Sequence, residues 1–440
     1  MGTGLKNDLR LPLPAPYSAP YWFVRKREMG TLNTEAPYVI VGGGIAGVSA
    51  AEALRDCGFD GRIVLINEES TAPYDRPPLS KDVLRSSDLP QNIWLRNDAF
   101  YASRGIEVRT GVGAVAIDAV GKTVKLSDGD VVSYAKLLLA TGSRARELAM
   151  FPIGNPLVHY LRTLDDAQGL RCDLDKLGDD GHLLVVGAGV IGLEVAAIAR
   201  ELGLRVTVVE AGARPLARSA SPLLAAFLAR AHADRGVDIR CGVTLQSADF
   251  LGDGYDVALS DGTEVHADVV LVAIGILPNA GLARSAGVEV VPEGIRTDGL
   301  GRTSVQDIYA AGEVAYHYNQ RHQAFRREET WQHAADHGAH VARCMAGQDE
   351  QYASTMAYWT DQYQFSIQVF GNPHGTSEVI RGDSGSDAFS IFHLDHSAIC
   401  GVTAVNAARE LRKSKPLVLK GAVVPDHVIS DPNADPYSCA

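Results

Sequence analysis

The sequence predicts an α/β protein in which one strand–turn–helix unit is used twice. Three observations carry that prediction. Two Gly-x-Gly-x-x-Gly turns each follow a short apolar strand and precede a helical run. An acidic residue closes the next strand in both copies. A hairpin with an Asp-Gly turn and a second apolar strand ending in glycine then follow each copy. Glycine is accordingly enriched, at 44 of 440 residues, against a usual share of about 7%. The length suggests two to four domains. A net charge of −12 argues against nucleic-acid or anionic-membrane partners. The longest apolar run, residues 269–277, is half of a membrane span. The six cysteines include no C-x-x-C pair, which leaves zinc ribbons and dithiol motifs without support.

Taken in order, residues 1–37 are rich in Pro dipeptides and carry Arg25-Lys-Arg27; they read as an extended or disordered N-terminal segment, with Met29 an alternative start. The first strand begins at Tyr38 and runs to Val41. The turn Gly42-Gly-Gly44-Ile-Ala-Gly47 leads into a helix ended by Gly58, and the strand Ile63–Ile66 closes on Asn67-Glu68-Glu69. In the second copy Leu183–Val186 precedes Gly187-Ala-Gly189-Val-Ile-Gly192, a helix ends at Gly203, and Val206–Val209 closes on Glu210. The first glycine permits the tight turn and the second lets the backbone approach a pyrophosphate. The third lets the helix pack on the strand, its N-terminus facing the phosphate charge. Glu68 and Glu210, 21 and 18 residues beyond the last glycines, suit a ribose hydroxyl. Asn67 and Glu69 are alternatives to Glu68.

The hairpins at Asp128-Gly129 and Asp261-Gly262 lead to strands ending at Gly142 and Gly275. The second dinucleotide module therefore lies inside the first. The expected divisions are 38–151 with 276–330 for one nucleotide, 152–275 for the other, and a C-terminal α+β interface domain at 331–440. A carboxylate at Glu210 favours NADH over a 2′-phosphate, although Arg214 and Arg218 nearby leave NADPH open.

These residues are similar to the two-dinucleotide-domain FAD/NAD(P)H oxidoreductases of the glutathione-reductase type. The motifs are the two fingerprints, Ala140-Thr141-Gly142 and Asp307-Ile-Tyr-Ala-Ala-Gly-Glu313. Tyr74-Asp-Arg-Pro-Pro-Leu-Ser-Lys81 resembles the signature of the ferredoxin reductase family. Tyr160-Leu-Arg-Thr-Leu-Asp-Asp-Ala167, Glu328-Glu-Thr-Trp331 and Trp359-Thr-Asp-Gln-Tyr363 match as well.

The resemblance implies FAD on Gly42, Gly44, Ala46, Gly47, Glu68, Arg76, Lys81, Thr141, Gly142, Arg162, Gly312, Glu313 and Trp331. It implies NAD on Gly187, Gly189, Val190, Ile191, Gly192, Glu194, Glu210 and Gly275, with Lys81 and Glu194 as the catalytic pair across the nicotinamide site. Glu313 departs from the family's Gly-Asp, adding a methylene where an aspartate would meet the ribityl chain. Relatives that reduce disulfides carry a dithiol beside the flavin. This sequence has none and no iron–sulfur ligand spacing, so the electrons are expected to leave to a separate [2Fe–2S] ferredoxin. That carrier would serve a Rieske oxygenase or a cytochrome P450. Arg321, Arg326, Arg327 and the run 409–415 are candidate docking cations. His333, His337 and His340 line one helix face, but the flavin-facing helix of the family holds no metal, and none is expected. The implied protein is cytoplasmic, a monomer or homodimer, without nucleic-acid or membrane partners. Two other readings are an NADH oxidase or quinone/small-molecule reductase, and a redox-sensing NADH-binding protein similar to apoptosis-inducing factor.

Overall fold

Continuous apolar runs such as YVIV at Tyr38–Val41 and VVLV at Val269–Val272 are buried at every position, the pattern of parallel strands covered on both faces. The computed structural model describes residues 36–439 apart from 87 and 179, so the expected N-terminal segment lies, through residue 35, outside the described residues. One parallel sheet has the order Ile308–Ala310, Lys136–Leu139, Tyr38–Val41, Ile63–Asn67, Ile106–Thr110. A second parallel sheet has the order Val237–Cys241, Arg205–Glu210, His182–Val186, Val269–Val272, Val158–Tyr160. Strand Ile308–Ala310 completes the first sheet only after the chain has built the second, so the second unit is inserted in the first.

The two crossings between these units, Ser143–Ala145 and Ile276–Pro278, pair antiparallel. Thr141 and Asn279 add reciprocal side-chain bonds to each other's carbonyls. Each parallel sheet carries a three-stranded antiparallel appendage that includes the expected Asp-Gly hairpin. Each appendage also has a further strand, Ala114–Asp118 or Leu245–Phe250.

The C-terminal sheet is antiparallel, in the order Ala357–Gln362, Phe365–Gly371, Ala398–Val405, Phe389–Asp395, Ser377–Gly382, with helix Ala408–Lys420 against it. Helix Trp331–Met345, expected to open the C-terminal unit, packs on the first fingerprint helix, Ile45–Asp56: a Cβ at Gly338 would lie 2.1 Å from the Ala46 carbonyl oxygen. One hydrophobic cluster joins Tyr74 and Leu79 of the octapeptide, Leu193 and Val195 of the second fingerprint helix, and Phe365 and Phe389 of the C-terminal sheet. Phe227 meets both phenylalanines edge-on, at 4.9 and 5.1 Å between ring centroids. This shared core joins the second parallel sheet, the C-terminal sheet and the octapeptide segment.

Candidate functional site

The two fingerprint turns are built on the same steric plan. Gly42 and Gly187 have φ of +120° and +106°, and a Cβ on either would strike the carbonyl oxygen of the neighbouring strand's end, Ala140 at 2.1 Å or Ala273 at 2.5 Å. Gly47 and Gly192 do not line the cleft; they let each helix ride over the carbonyl of Gly42 or Gly187, where a Cβ would come within 1.9 or 2.1 Å. At Gly44 and Gly189 a Cβ would meet nothing within 4 Å, because both face a cleft of about 2460 Å³. Neither helix carries an acidic residue in its first turn. The free N–H groups and the positive end of each helix dipole therefore face the cleft unopposed, which fits a pyrophosphate in each cradle.

Both cradles open into this one cleft. Its walls include Ala46, Val190, Ile191, Thr141, Gly142 and Gly275. Glu68 is exposed on the wall and keeps its carboxylate for the cleft. The alternatives to it are occupied: Glu69 accepts from Arg76 at 2.8 Å and from the Tyr74 hydroxyl, and the Asn67 amide donates to the Glu69 and Thr71 carbonyls. Arg76 also donates to the Arg162 carbonyl at 2.6 Å, which props the return segment beside the first cradle. Glu210 accepts from the Ala188 and Gly212 N–H groups at 2.8 and 2.7 Å, so its carboxylate is held at the second turn.

The first cradle is completed from distant segments. Arg162 and Glu313 form an ion pair, while the buried Arg162 Nε has no partner; an orphaned donor here suits a polar ligand such as FAD. Gly312, at φ +76°, is buried behind the cleft, where a Cβ would touch Ala46 at 2.8 Å. Trp331 donates its indole N–H to Asp75 and meets Trp359 edge-on at 5.7 Å.

Lys81 and Glu194 meet where the octapeptide, the second fingerprint helix and the C-terminal sheet converge. Lys81 Nζ lies 2.8 Å from Glu194 Oε2, with the side chains 12% and 1% exposed. Ser80 Oγ donates to the same carboxylate oxygen, and Thr360 Oγ1 donates to Oε1 at 2.6 Å. Burial raises Glu194 above its usual 4.5, while Lys81 and the two hydroxyls pull it back down. Sequence reasoning did not single out Ser80, Thr360 or Asp75, although all three lie inside motifs quoted for the family.

The structure changes two readings of cations and histidines. Arg327 is not a free docking cation: it is 14% exposed and bonded to Glu313 O, Ser143 and Glu329. The three helix histidines are split. His340 bonds the Gly299 carbonyl at 3.0 Å, whereas His333 stacks on His317 at 4.7 Å between centroids and His337 meets His317 tilted at 4.6 Å. The Gly312 N–H donates to His337 Nδ1 at 3.2 Å. A neutral ring that accepts at Nδ1 carries its proton on Nε2, so the nitrogen left over is a donor rather than a metal ligand. Burial pushes His317 down to about 4 and His333 and His337 well below the usual 6.5.

Residues 36–338 match the family model described as pyridine nucleotide-disulphide oxidoreductase, and 357–438 match the reductase C-terminal model. The chain belongs to the pyridine nucleotide-disulphide oxidoreductase family. Within it, the chain is 39% identical to the ferredoxin–NAD(+) reductase component of the anthranilate 1,2-dioxygenase system of Burkholderia cepacia, over 90% of this chain and 97% of that one. It is 38% identical to the corresponding component of the p-cumate 2,3-dioxygenase system of Pseudomonas putida, over 91% and 98%. Among solved structures of this oxidoreductase family, the ferredoxin reductase for the CYP199A2 system of Rhodopseudomonas palustris matches with a TM-score of 0.87 at 34% identity, over 92% of this chain and all of that one. The covalent putidaredoxin reductase–putidaredoxin complex matches at 0.84 and 33%, over 91% and 96%. The resemblance read from the octapeptide and the fold class read from the duplicated turn are both borne out.

Proposed function

We propose that the chain is an NADH-dependent reductase that passes electrons one at a time to a [2Fe–2S] ferredoxin. FAD, when bound, supplies the conversion between a two-electron donor and a one-electron acceptor. The observation that carries the reading is the Lys81–Glu194 pair, buried between two nucleotide cradles that share one cleft. In this reading residues 38–151 and 276–330 hold FAD and 152–275 hold NADH. The C-terminal residues 331–440, whose sheet begins at Ala357, supply the surface for the carrier.

Each side chain then has a task. The first turn and its helix N-terminus bind the FAD pyrophosphate, Glu68 accepts from the adenosine ribose, and Arg162 and Glu313 orient the middle of the cofactor. Glu210, already fixed by two backbone N–H groups, accepts from the adenosine 2′-hydroxyl of NADH and repels a 2′-phosphate. Lys81 would offer its ammonium to the bound flavin, and Glu194 holds that ammonium in place. Trp331 and Trp359 line the same cleft. The ferredoxin assignment is supported by the names of the relatives in Burkholderia cepacia and Pseudomonas putida and by the absence of a dithiol motif in the sequence.

The test is an anaerobic titration of the FAD-loaded protein with NADH and, separately, NADPH, followed by addition of [2Fe–2S] ferredoxins. Bleaching of the flavin absorbance by NADH at lower concentration than by NADPH, with rapid recovery on ferredoxin addition, is expected. A flavin that neither nucleotide bleaches, or that oxygen reoxidises faster than any ferredoxin, overturns the reading.

A further inference from the structure

Glu194 is the inner end of a continuous line of side chains that crosses from the nucleotide cleft to the outer face of the second unit. Thr360 Oγ1 lies 2.6 Å from Glu194 Oε1. Gln362 Nε2 is 3.1 Å from Thr360 Oγ1. His232 Nε2 is 2.8 Å from Gln362 Oε1, and the Tyr363 hydroxyl is 2.9 Å from His232 Nδ1. Glu194, Thr360, Gln362 and His232 are all buried, and the line draws on two helices of the second unit and one strand of the C-terminal sheet. Its outer end lies beneath Arg235, whose guanidinium stacks 4.3 Å from the centre of the Tyr363 ring.

The direction of every link follows from the charge on Glu194. An ionised carboxylate only accepts, so Thr360 must give it the single hydroxyl proton it has. Thr360 must then accept from Gln362, which turns the amide NH2 inward and the amide oxygen toward His232. That oxygen requires a proton on His232 Nε2. His232 is neutral, pushed down to about 4 by burial, so its Nδ1 accepts from Tyr363. A hydroxyl proton aimed at Oε1 favours the charged carboxylate over the neutral acid, and Gln362 and His232 behind it hold the Thr360 hydroxyl in that orientation. The line as it is oriented therefore stabilises the ionised form of Glu194.

We infer that Thr360, Gln362, His232 and Tyr363 are positioning residues whose one-directional hydrogen-bond chain keeps Glu194 ionised and turned toward Lys81. The inference rests on the reading of Lys81 and Glu194 as the pair at the nicotinamide site and names what holds that pair in its working form. The amide of Gln362 cannot pass a proton along without becoming its imidic acid, so the chain orients and does not conduct.

Two measurements on the FAD-loaded full chain test this near neutral pH. The first is the infrared C=O stretch of a protonated carboxyl group. Over the wild-type spectrum, which already includes the buried Glu328 carboxyl, Thr360→Val should add such a band, the further change Glu194→Gln should remove the added band, and Thr360→Ser should add none. The second is the rate of flavin reduction at saturating NADH. Thr360→Val and Gln362→Leu should each slow it about tenfold with FAD content and NADH Kd unchanged. The double variant should be no slower than Thr360→Val alone, because both break one chain, and Thr360→Ser should restore the rate. Where Thr360→Val does not fold, Gln362→Leu carries both measurements. Absence of the added carboxyl band in both variants, or rate losses that multiply, overturns the inference. Wild-type reduction rates in Glu194→Gln would instead refute the catalytic role of the pair, and the infrared result would still decide whether the chain sets its charge.

Discussion

Replacing Lys81 with Ala removes one member of an ion pair whose side chains are 12% and 1% exposed. Losing one partner of a buried pair costs about 3–5 kcal/mol, because the other charge is left without compensation. At about 2.1 cal/mol/K of unfolding entropy per residue, that corresponds to a fall of about 3–5 °C in the Tm of the FAD-loaded protein. The loss should depend on pH, and its sign follows from Glu194. Burial already raises this carboxyl above 4.5, and Lys81 is the largest effect opposing that rise, so the variant's carboxyl rises further. A carboxyl raised in the folded state contributes stability that is present below the unfolded value and lost as pH climbs through the folded value. The deficit of Lys81→Ala against wild type should therefore be small at about pH 5 and grow toward about pH 8. Scanning calorimetry at both pH values reads this, and anaerobic stopped-flow should show flavin reduction by NADH slowed at least about tenfold with FAD still bound. An equal Tm loss at the two pH values together with wild-type reduction kinetics would refute the reasoning.

Three further outcomes follow from other parts of the structure. Gly338→Ala pushes a Cβ to 2.1 Å from the Ala46 carbonyl oxygen, and overpacking of about 1–3 kcal/mol should lower the temperature at which FAD is released, read by flavin fluorescence on heating; an unshifted release contradicts that helix contact. Glu210→Ala removes the carboxylate beside the second turn and should raise the ratio of kcat/KM for NADPH over NADH at least about tenfold, whereas an unchanged ratio would remove Glu210 from nucleotide selection. Glu328 is pushed up to about 7 by burial, so wild-type stability should fall as pH rises from 4.5 toward 7. Glu328→Gln should flatten that slope in urea titrations across the range, and identical slopes would show that the carboxyl is solvated.

The fingerprints were legible because their constraint is local: glycines five residues apart are forced by contacts within one turn and with one neighbouring strand end. The Asp-Gly hairpins were legible for a similar reason, since a two-residue turn dictates its own residues. Strands Ala114–Asp118 and Leu245–Phe250 were not. The first has only Ile117 buried and the second has no buried residue, so neither shows the apolar alternation that marks a strand. The placement of helix Trp331–Met345 escaped notice because its small residues, Gly338 among them, acquire meaning only when Ile45–Asp56 lies against them. The burial of Arg327 and the engagement of Glu69 are likewise properties of neighbours far away in the chain.

By itself the sequence determined that two nucleotide cradles exist, that one unit is nested in the other, and which family motifs accompany them. Tertiary structure alone decided how these parts act together. Lys81 and Glu194 are 113 residues apart, and Thr360 is a further 166 from Glu194. A turn satisfies its backbone within a few residues, so its residue types are written locally. A buried charge must be satisfied by whatever segments the hydrophobic core brings beside it, and spacing along the chain carries no record of which segments those are.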